Sequence, residues 1–417
     1  MTSQLLTRSA HERFYHPELD VLRFSAFFLI FIHHSIPHDP AFYARLGVAP
    51  MLSAVLCALG SAGAFGVELF FLLSAYLVTE LRIRERALRG QVDLKSFYIR
   101  RLLRIWPLYL FFLAFAWALQ WIVPGQHIGW RAGLAFLLLA GNWWVVFVGF
   151  PSSVIFPLWF ISLQEQFYLF WPATMRKLSA RGMLIVSVLM LVVASLTRWY
   201  LALRHTWESR LWANTFVQLD AIALGIILAV LLAGRAPRLA PLHRAALYLG
   251  GFTCFLLAGS YFVIKGDPLT VSRVLLGYPV AAIGAVALFL ATLRPQPEGD
   301  PHPLTGDPHP LTGDPHPPAV GECGEQVRPR IWPQWATSPL IYLGQISYGL
   351  YVFHIIGLMT SDYTVHHQDS SLPRYLFRNS VAFAVTVVLA SISYRWLETP
   401  FLSLKQRFSR VPSRPAS

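Results

Sequence analysis

Apolar residues occur in long blocks along the 417-residue chain, and short loops rich in charged residues separate these blocks. A helix needs about 20 apolar residues to cross the hydrocarbon core of a bilayer, and these blocks hold about 17 to 25. The pattern therefore predicts an all-α integral membrane protein with about ten transmembrane helices. The predicted spans are 19–38, 61–81, 105–123, 158–175, 183–203, 213–233, 245–264, 273–293, 338–360 and 378–397.

The basic residues predict the topology, because loops on the cytoplasmic side of a membrane carry an excess of Lys and Arg. The basic clusters are the N-terminus, 82–104, 176–181, 235–244, 294–337 and the C-terminal tail. They share one side only if the apolar stretch 131–150 does not cross the bilayer. We therefore predict that both termini are cytoplasmic and that 131–150 is a re-entrant or interfacial segment on the outer side, with a break at residues 141–144.

The predicted membrane domain covers residues 19–401, between a cytoplasmic N-terminus at 1–18 and a cytoplasmic tail at 402–417. A loop at 294–337 interrupts it, and there the unit Gly-Asp-Pro-His-Pro-Leu-Thr repeats from Gly299. Proline at this density prevents regular structure, which predicts a disordered cytoplasmic loop. Three histidines of the repeat could share a metal ion: His302, His309 and His316. A disordered chain offers no preset geometry for the ion, so no metal site is predicted.

Composition narrows the function classes. The chain is 55% hydrophobic and 13% charged, with a mean hydropathy of +0.50. A net charge of +13 can indicate nucleic-acid binding, but here the basic residues lie beside spans, where the topology explains them. Cys57, Cys254 and Cys323 have neither the spacing of metal ligands nor that of a disulfide framework.

Arg23 and His34 are the most informative pair of polar residues in the first span. Eleven helical positions at about 100° each return to within roughly 20° of the starting direction, about 16 Å further along the axis. Ionisable side chains on one face of a membrane helix are expected to line a polar interior, because facing lipid is costly. Alternatively, Arg23 is an anchor near the headgroups, and His33 and His34 mark the far end of the span.

Two further groups of polar residues are candidate sites. Arg101 and Arg104, three apart on one helical face, form a plausible fork for phosphate, although anchoring at the cytoplasmic side explains part of this charge. A second group lies inside an aromatic-rich span, where a carboxylate is expensive unless it faces a polar cavity. Each such residue could equally form a hydrogen bond between packed helices. The group consists of Ser162, Gln164, Glu165 and Gln166, and the same question applies to Glu68, Asp220 and Glu398.

Six ordered blocks of the chain, from about Glu18 to Phe401, resemble the membrane acyltransferase family 3. This family includes bacterial O-acetyltransferases of polysaccharides, lipopolysaccharide, nodulation factors and macrolides. The blocks are residues 19–23 with His34, 66–77, 97–107, 157–172, 346–354 and 394–401.

The resemblance implies roles for individual residues. His34 and Arg23 would be catalytic, which makes His33 the weaker candidate, and Arg101 and Arg104 would bind the acyl-CoA donor. The supporting polar site would contain Glu68, Ser162, Gln164, Glu165, Tyr168 and His354. The chain departs from the family pattern at three positions, with Gln164 in place of the usual Glu, Glu68 in place of Asp, and Ala75 in place of Gly.

The resemblance implies a membrane O-acyltransferase of the bacterial cytoplasmic (inner) membrane. It would move an acyl group, expected to be acetyl, from cytoplasmic acyl-CoA to a hydroxyl of a carbohydrate or glycolipid, with His34 as general base. Acyl-CoA is then a co-substrate and no cofactor stays bound; the other partners are the saccharide acceptor and membrane lipids, without nucleic acid. A transporter is an alternative, although the inverted halves common in transporters are not evident. A non-catalytic membrane scaffold is the other alternative.

Overall fold

The computed structural model describes residues 16–90, 92–204, 208–262, 271–295, 334–364 and 371–406. Every regular element among these residues is helical, which confirms the all-α prediction. Most of the predicted N-terminal segment 1–18, loop 294–337 and tail 402–417 lies outside the described residues, as do the repeat histidines.

Seventeen α-helices follow one another in the described part of the chain. They are α1 Pro17–Ser35, α2 Pro40–Arg45, α3 Pro50–Gly63, α4 Gly66–Arg89, α5 Leu94–Leu119, α6 Trp130–Leu137, α7 Gly141–Phe147, α8 Trp159–Met175, α9 Ala180–Leu203, α10 Glu208–Trp212, α11 Leu219–Leu232, α12 Pro241–Phe262, α13 Val271–Thr292, α14 Gln334–Gln345, α15 Ser347–Thr364, α16 Leu372–Ser393 and α17 Thr399–Gln406. A 3-10 turn at Phe156–Leu158 precedes α8, and a π-helical turn at Tyr394–Glu398 joins α16 to α17.

Six helical stretches in the described residues are long and apolar enough to cross a membrane. They are Pro50–Ala87, Leu94–Leu119, Ala180–Leu203, Pro241–Ser260, Val271–Thr292 and Leu372–Leu404. The count of about ten spans is not confirmed, because α8 and α11 have only 17 and 14 residues and α1 carries charges in its first two turns.

The predicted span 338–360 is bent in the structure and is not one continuous helix. Its two parts, α14 and α15, meet at a bend of 83° and count as a seventh span only if taken together. Helix α14 packs closely against the start of α1, where a Cβ on Gly344 would overlap the Asp20 carbonyl group.

The predicted cytoplasmic loops meet at one end of the bundle, which we call the basic end. Hydrogen bonds join these loops in pairs: Arg86 donates to the Leu178 carbonyl, Arg84 to the Gly234 carbonyl, and the Arg294 amide to the Glu18 carboxylate. The opposite end, which contains Ser35 and Phe156, is called the distal end. Helix α1 runs from the basic end to the distal end, so it carries Arg23 and His34 to different depths.

The apolar stretch 131–150 folds as two short helices, α6 and α7, that return to their starting point. The His127 amide donates to the Ser152 carbonyl over 2.9 Å, which closes the stretch into a loop. At its tip, Leu139 has a φ of +57°, and its carbonyl accepts a hydrogen bond from Gln166 over 2.9 Å. The geometry fits a re-entrant segment, because protein groups cover the broken backbone. The break precedes Gly141, slightly earlier than predicted.

Candidate active site

His34 lies in the last turn of α1, where it meets His354 of α15. His34 Nδ1 and His354 Nε2 are 3.1 Å apart. His354 is fully buried between the rings of Phe27 and Tyr351, whereas His34 keeps part of its surface exposed. The bundle therefore buries one imidazole completely and leaves part of the other exposed.

The hydrogen bonds determine which ring nitrogens carry protons. His354 Nδ1 is 2.6 Å from the Tyr351 carbonyl oxygen, and because a carbonyl can only accept, this nitrogen must donate. In a neutral ring the other nitrogen, Nε2, then accepts a hydrogen bond, so His34 Nδ1 is its donor. His34 Nε2 consequently keeps a free lone pair, which is the state that a general base requires.

The neighbouring His33 has a different environment. Its Nδ1 lies 2.9 Å from the Gly60 carbonyl oxygen of α3, and its ring stacks on His38 with centroids 4.7 Å apart. Successive helical side chains point about 100° apart, so His33 faces α3 while His34 faces α15. The preference for His34 over His33 therefore has a geometric basis.

Helix α15 carries polar side chains from the middle of the bundle to His34. Tyr348 donates to the Ile105 carbonyl of α5 over 2.9 Å, and Tyr351 donates to the Pro157 carbonyl over 2.7 Å. Together with His354 they repeat every three residues along one face of the helix. Neither tyrosine was predicted as a site residue, although their three-residue spacing from His354 is a signal in the sequence.

Arg101 and Arg104 lie on α5, near the basic end, and both are partly exposed. The Arg101 guanidinium lies 4.0 Å from the centroid of the buried Tyr168 ring and 5.7 Å from that of Phe97. Stacking on an aromatic face holds a guanidinium in a fixed plane while its N–H groups remain able to donate at its edges. The two aromatic rings thus hold the Arg101 guanidinium in a defined orientation.

Two buried carboxylates accompany these arginines. Glu165 of α8 lies in electrostatic range of Arg101, and Glu398 lies in range of Arg104. Glu398 belongs to the π-helical turn and is 3.3 Å from the Ser393 hydroxyl. Single π-helical turns are frequent at functional sites. The site near the basic end therefore combines two cations with two carboxylates on three different helices.

The family model Acyl_transf_3, which describes an acyltransferase domain, matches residues 16–395. The chain belongs to acyltransferase family 3. This confirms the resemblance found in the sequence, and together with the apolar helices it indicates an integral membrane protein.

Several relatives of this family 3 chain come from Staphylococcus aureus. The chain is 26% identical over 364 residues to O-acetyltransferase OatA of strain NCTC 8325 / PS 47, which covers 82% of the chain and 53% of that relative. It is 25% identical over 375 residues to the protein named Putative O-acetyltransferase SAR0937 of strain MRSA252, which covers 84% of the chain and 55% of the relative. The chain thus spans about half the length of these relatives. No solved structure matches it.

This family 3 chain has Gln164 where the family pattern usually has Glu, and Gln164 contacts a neighbouring helix. Gln164 Nε2 donates to the Ser74 hydroxyl of α4 over 2.5 Å. Glu165, one position later, faces the α5 arginines. The buried carboxylate near Arg101 therefore comes from Glu165, and Gln164 joins α8 to α4. Ser162 is fully buried and donates to the Leu158 carbonyl of the preceding turn, 3.2 Å away, which is a local helix contact.

Arg23 is not brought to His34. Its Nη1 lies 2.5 Å from Oδ1 of the buried Asp20, one turn earlier on α1. The regular helix separates Arg23 from His34 by about 16 Å along the axis, which exceeds the reach of an arginine side chain. The two side chains share one face of α1, as the sequence predicted, but they lie at different depths in the bundle.

Glu68 is likewise remote from His34, on the opposite side of α4. Gly66 presses against the Ala26 carbonyl of α1, and Glu68 lies about 200° further round the helix. Fully buried, it faces an ion pair between Arg198 of α9 and Asp220 of α11. Arg198 also donates to the Val217 carbonyl over 2.7 Å. We call Glu68, Arg198 and Asp220 the buried charge cluster; Arg198 was missed, although an arginine inside an apolar span is a visible signal.

Replacing Arg198 with Ala is expected to destabilise the fold. Arg198 is 1% exposed, and its removal would leave the Asp220 carboxylate buried without its cation, a loss that typically costs about 3–5 kcal/mol. The melting temperature of the detergent-purified protein measures this. Arg204→Ala, at the exposed end of α9, is the matched control and should melt as the wild type does. Equal melting of Arg198→Ala and wild type would contradict a stabilising role for the buried charge cluster.

Proposed function

We propose that the chain is a membrane O-acyltransferase that moves an acetyl group from cytoplasmic acyl-CoA to a hydroxyl of a carbohydrate or glycolipid. His34 is the general base, and the protein resides in the bacterial cytoplasmic membrane. The observation that carries this proposal is the hydrogen-bonded chain from Tyr351 through His354 to His34, which leaves His34 Nε2 with a free lone pair.

A sugar hydroxyl is a poor nucleophile at neutral pH, so the base acts as attack begins. The hydroxyl oxygen bonds to the thioester carbon while its proton passes to His34 Nε2. The carbon–sulfur bond then breaks, the CoA sulfur leaves with the electron pair, and it takes the proton from His34, which becomes neutral again. The imidazolium formed on His34 is stabilised because its Nδ1–H already donates to the neutral His354.

The donor side rests on Arg101 and Arg104. Guanidinium groups bind phosphate oxygens bidentately, and the stacking of Arg101 on Tyr168 prepares it for such contacts. Tyr348 contacts the carbonyl next to Arg104, and His354 follows it by six residues, which is about 9 Å along α15. This short distance supports a donor whose phosphates stay near the basic end while its thioester reaches His34. The separation of about 16 Å between Arg23 and His34 along α1 argues against a direct role for Arg23 at the reacting carbon.

The function is tested with purified protein in liposomes and labelled acetyl-CoA, with saccharide-containing membrane extract as acceptor source. An O-acetyltransferase releases free CoA and produces acetate in base-labile ester linkage. A transporter or scaffold does neither, so the absence of both products would overturn the proposal.

His354 is expected to act as a positioning residue for His34. His354→Leu removes the acceptor for His34 Nδ1–H and should lower kcat by about tenfold to a hundredfold, part of the 10²–10⁴-fold that base catalysis contributes. The KM for acetyl-CoA should not change, because the donor phosphates bind elsewhere.

Steady-state kinetics on the purified protein separates these two constants. His354→Gln is the matched variant, since its amide oxygen can accept from His34, and it should retain more activity than His354→Leu. Equal kcat in the two variants would argue that His354 only fills space.

A further inference from the structure

A cavity of about 320 Å³ opens at the distal end, beside His34. Gln126, Ser153 and Phe156 line it from the two sides of the re-entrant segment, and Ile355, Met359 and Asp362 line it from α15. Its volume lies at the lower end of the range for ligand pockets, about 300–1,000 Å³. The cavity is therefore large enough to admit one small ring-shaped group.

One residue of the cavity lining also contacts His34. The Phe156 ring, which lines the cavity, also meets the His34 ring edge-on with centroids 5.6 Å apart. Ile355, on the facing wall, directly follows His354 in the chain. A ligand in the cavity thus lies one aromatic ring away from the imidazole that keeps a free lone pair.

The lining is polar on one side and apolar on the other. The Ser153 hydroxyl is buried and has no hydrogen-bond partner in the part of the chain that the structure describes. Gln126 uses its carbonyl to accept from the Val154 amide over 2.9 Å, while among the described residues its Nε2 contacts only the weakly accepting Met359 sulfur at 3.7 Å. The partly exposed Asp362 adds a carboxylate, one oxygen of which is 3.2 Å from Nη1 of Arg378.

These groups suit a saccharide. A sugar ring offers hydroxyls at its edge, which can bond to Ser153, Gln126 and Asp362, and C–H faces that pack against Phe156, Ile355 and Met359. Buried polar groups without strong partners favour a ligand that supplies hydrogen bonds, because leaving them unpaired costs free energy.

We propose that this cavity is the acceptor subsite, in which a saccharide binds with one hydroxyl directed past Phe156 toward His34. This inference rests on the proposed function and adds to it the place and chemistry of acceptor binding.

The cavity can be blocked after folding, which avoids the ambiguity of a variant that fails to fold. Met359→Cys is labelled with benzyl methanethiosulfonate, followed to completion by mass spectrometry, and later restored with a reducing agent. Labelling should lower the incorporation of ester-linked acetate by about tenfold or more, as blocking one substrate contact typically does. Reduction should restore it, and equilibrium binding of labelled acetyl-CoA should not change.

Two controls accompany the labelling. Leu376→Cys lies on α16 near the distal end, is 55% exposed and lines no part of the cavity, so its labelling should leave transfer unaffected. The wild type treated alike reports on its own cysteines. Full transfer by labelled Met359→Cys, a parallel loss of acetyl-CoA binding, or resistance of the introduced thiol to the reagent would each overturn the acceptor subsite.

The failure of this inference is distinguishable from the failure of the proposed function. If the wild type releases no free CoA and forms no ester-linked acetate, the proposed function is wrong whatever the cavity does. The product also identifies the acceptor source, because organic extraction separates lipid-linked saccharide from water-soluble glycan. Ester-linked acetate on lipid that contains no sugar would overturn the saccharide assignment.

Discussion

Replacing His34 with Ala is expected to lower acetyl transfer by about 10²–10⁴-fold, which is the usual contribution of a positioned base. The lone pair on His34 Nε2 is the acceptor for the hydroxyl proton, and alanine supplies none. Initial rates of ester-linked acetate formation, with purified protein in liposomes and saturating acetyl-CoA, measure the loss. The variant should still bind acetyl-CoA, because the donor phosphates are held near the basic end.

The adjacent histidine provides the matched control. His33→Asn keeps an amide nitrogen where His33 Nδ1 meets the Gly60 carbonyl, so the α1–α3 contact is retained. Its transfer rate should stay within a few-fold of the wild type. A loss in His33→Asn as large as that in His34→Ala, or retained activity in His34→Ala, would contradict the assignment of the base.

Replacing both Arg101 and Arg104 with Ala is expected to raise the KM for acetyl-CoA. Hydrogen bonds to charged groups contribute about 1.5–3 kcal/mol each, so loss of one such contact raises KM by roughly tenfold to 150-fold. The value of kcat at saturating donor should change less, because these arginines lie away from His34. Initial rates at varied acetyl-CoA concentration separate the two effects.

Arg100→Ala is the control for charge alone. It removes the same charge from the same helix, but its side chain points about 100° away from that of Arg101. A rise in KM for Arg100→Ala equal to that for Arg101→Ala would indicate general attraction by the basic loop rather than a built phosphate site. An unchanged KM in the double variant would exclude Arg101 and Arg104 as donor ligands.

Much of the fold could be predicted from the sequence, and the parts that could not be predicted have physical causes. Block length predicted the helical class, and charge distribution predicted that 131–150 folds back. The bend between α14 and α15 was not predicted, and neither was the close contact of Gly344 with Asp20, because these two residues are distant in the chain. Likewise, periodicity predicted a shared face for Arg23 and His34 but not that Asp20 would pair with Arg23.

The sequence by itself determined that this is an α-helical family 3 acyltransferase and which ionisable residues stand out. It could do so because a charge inside an apolar block is costly wherever it occurs, and helical spacing is a local property. Only the tertiary structure decided the partners of these residues. His34 meets His354, 320 positions away, and Glu68 faces Arg198 and Asp220 rather than His34. Contacts between distant helices leave no periodic trace in one sequence, so packing alone selected the residues that can act together.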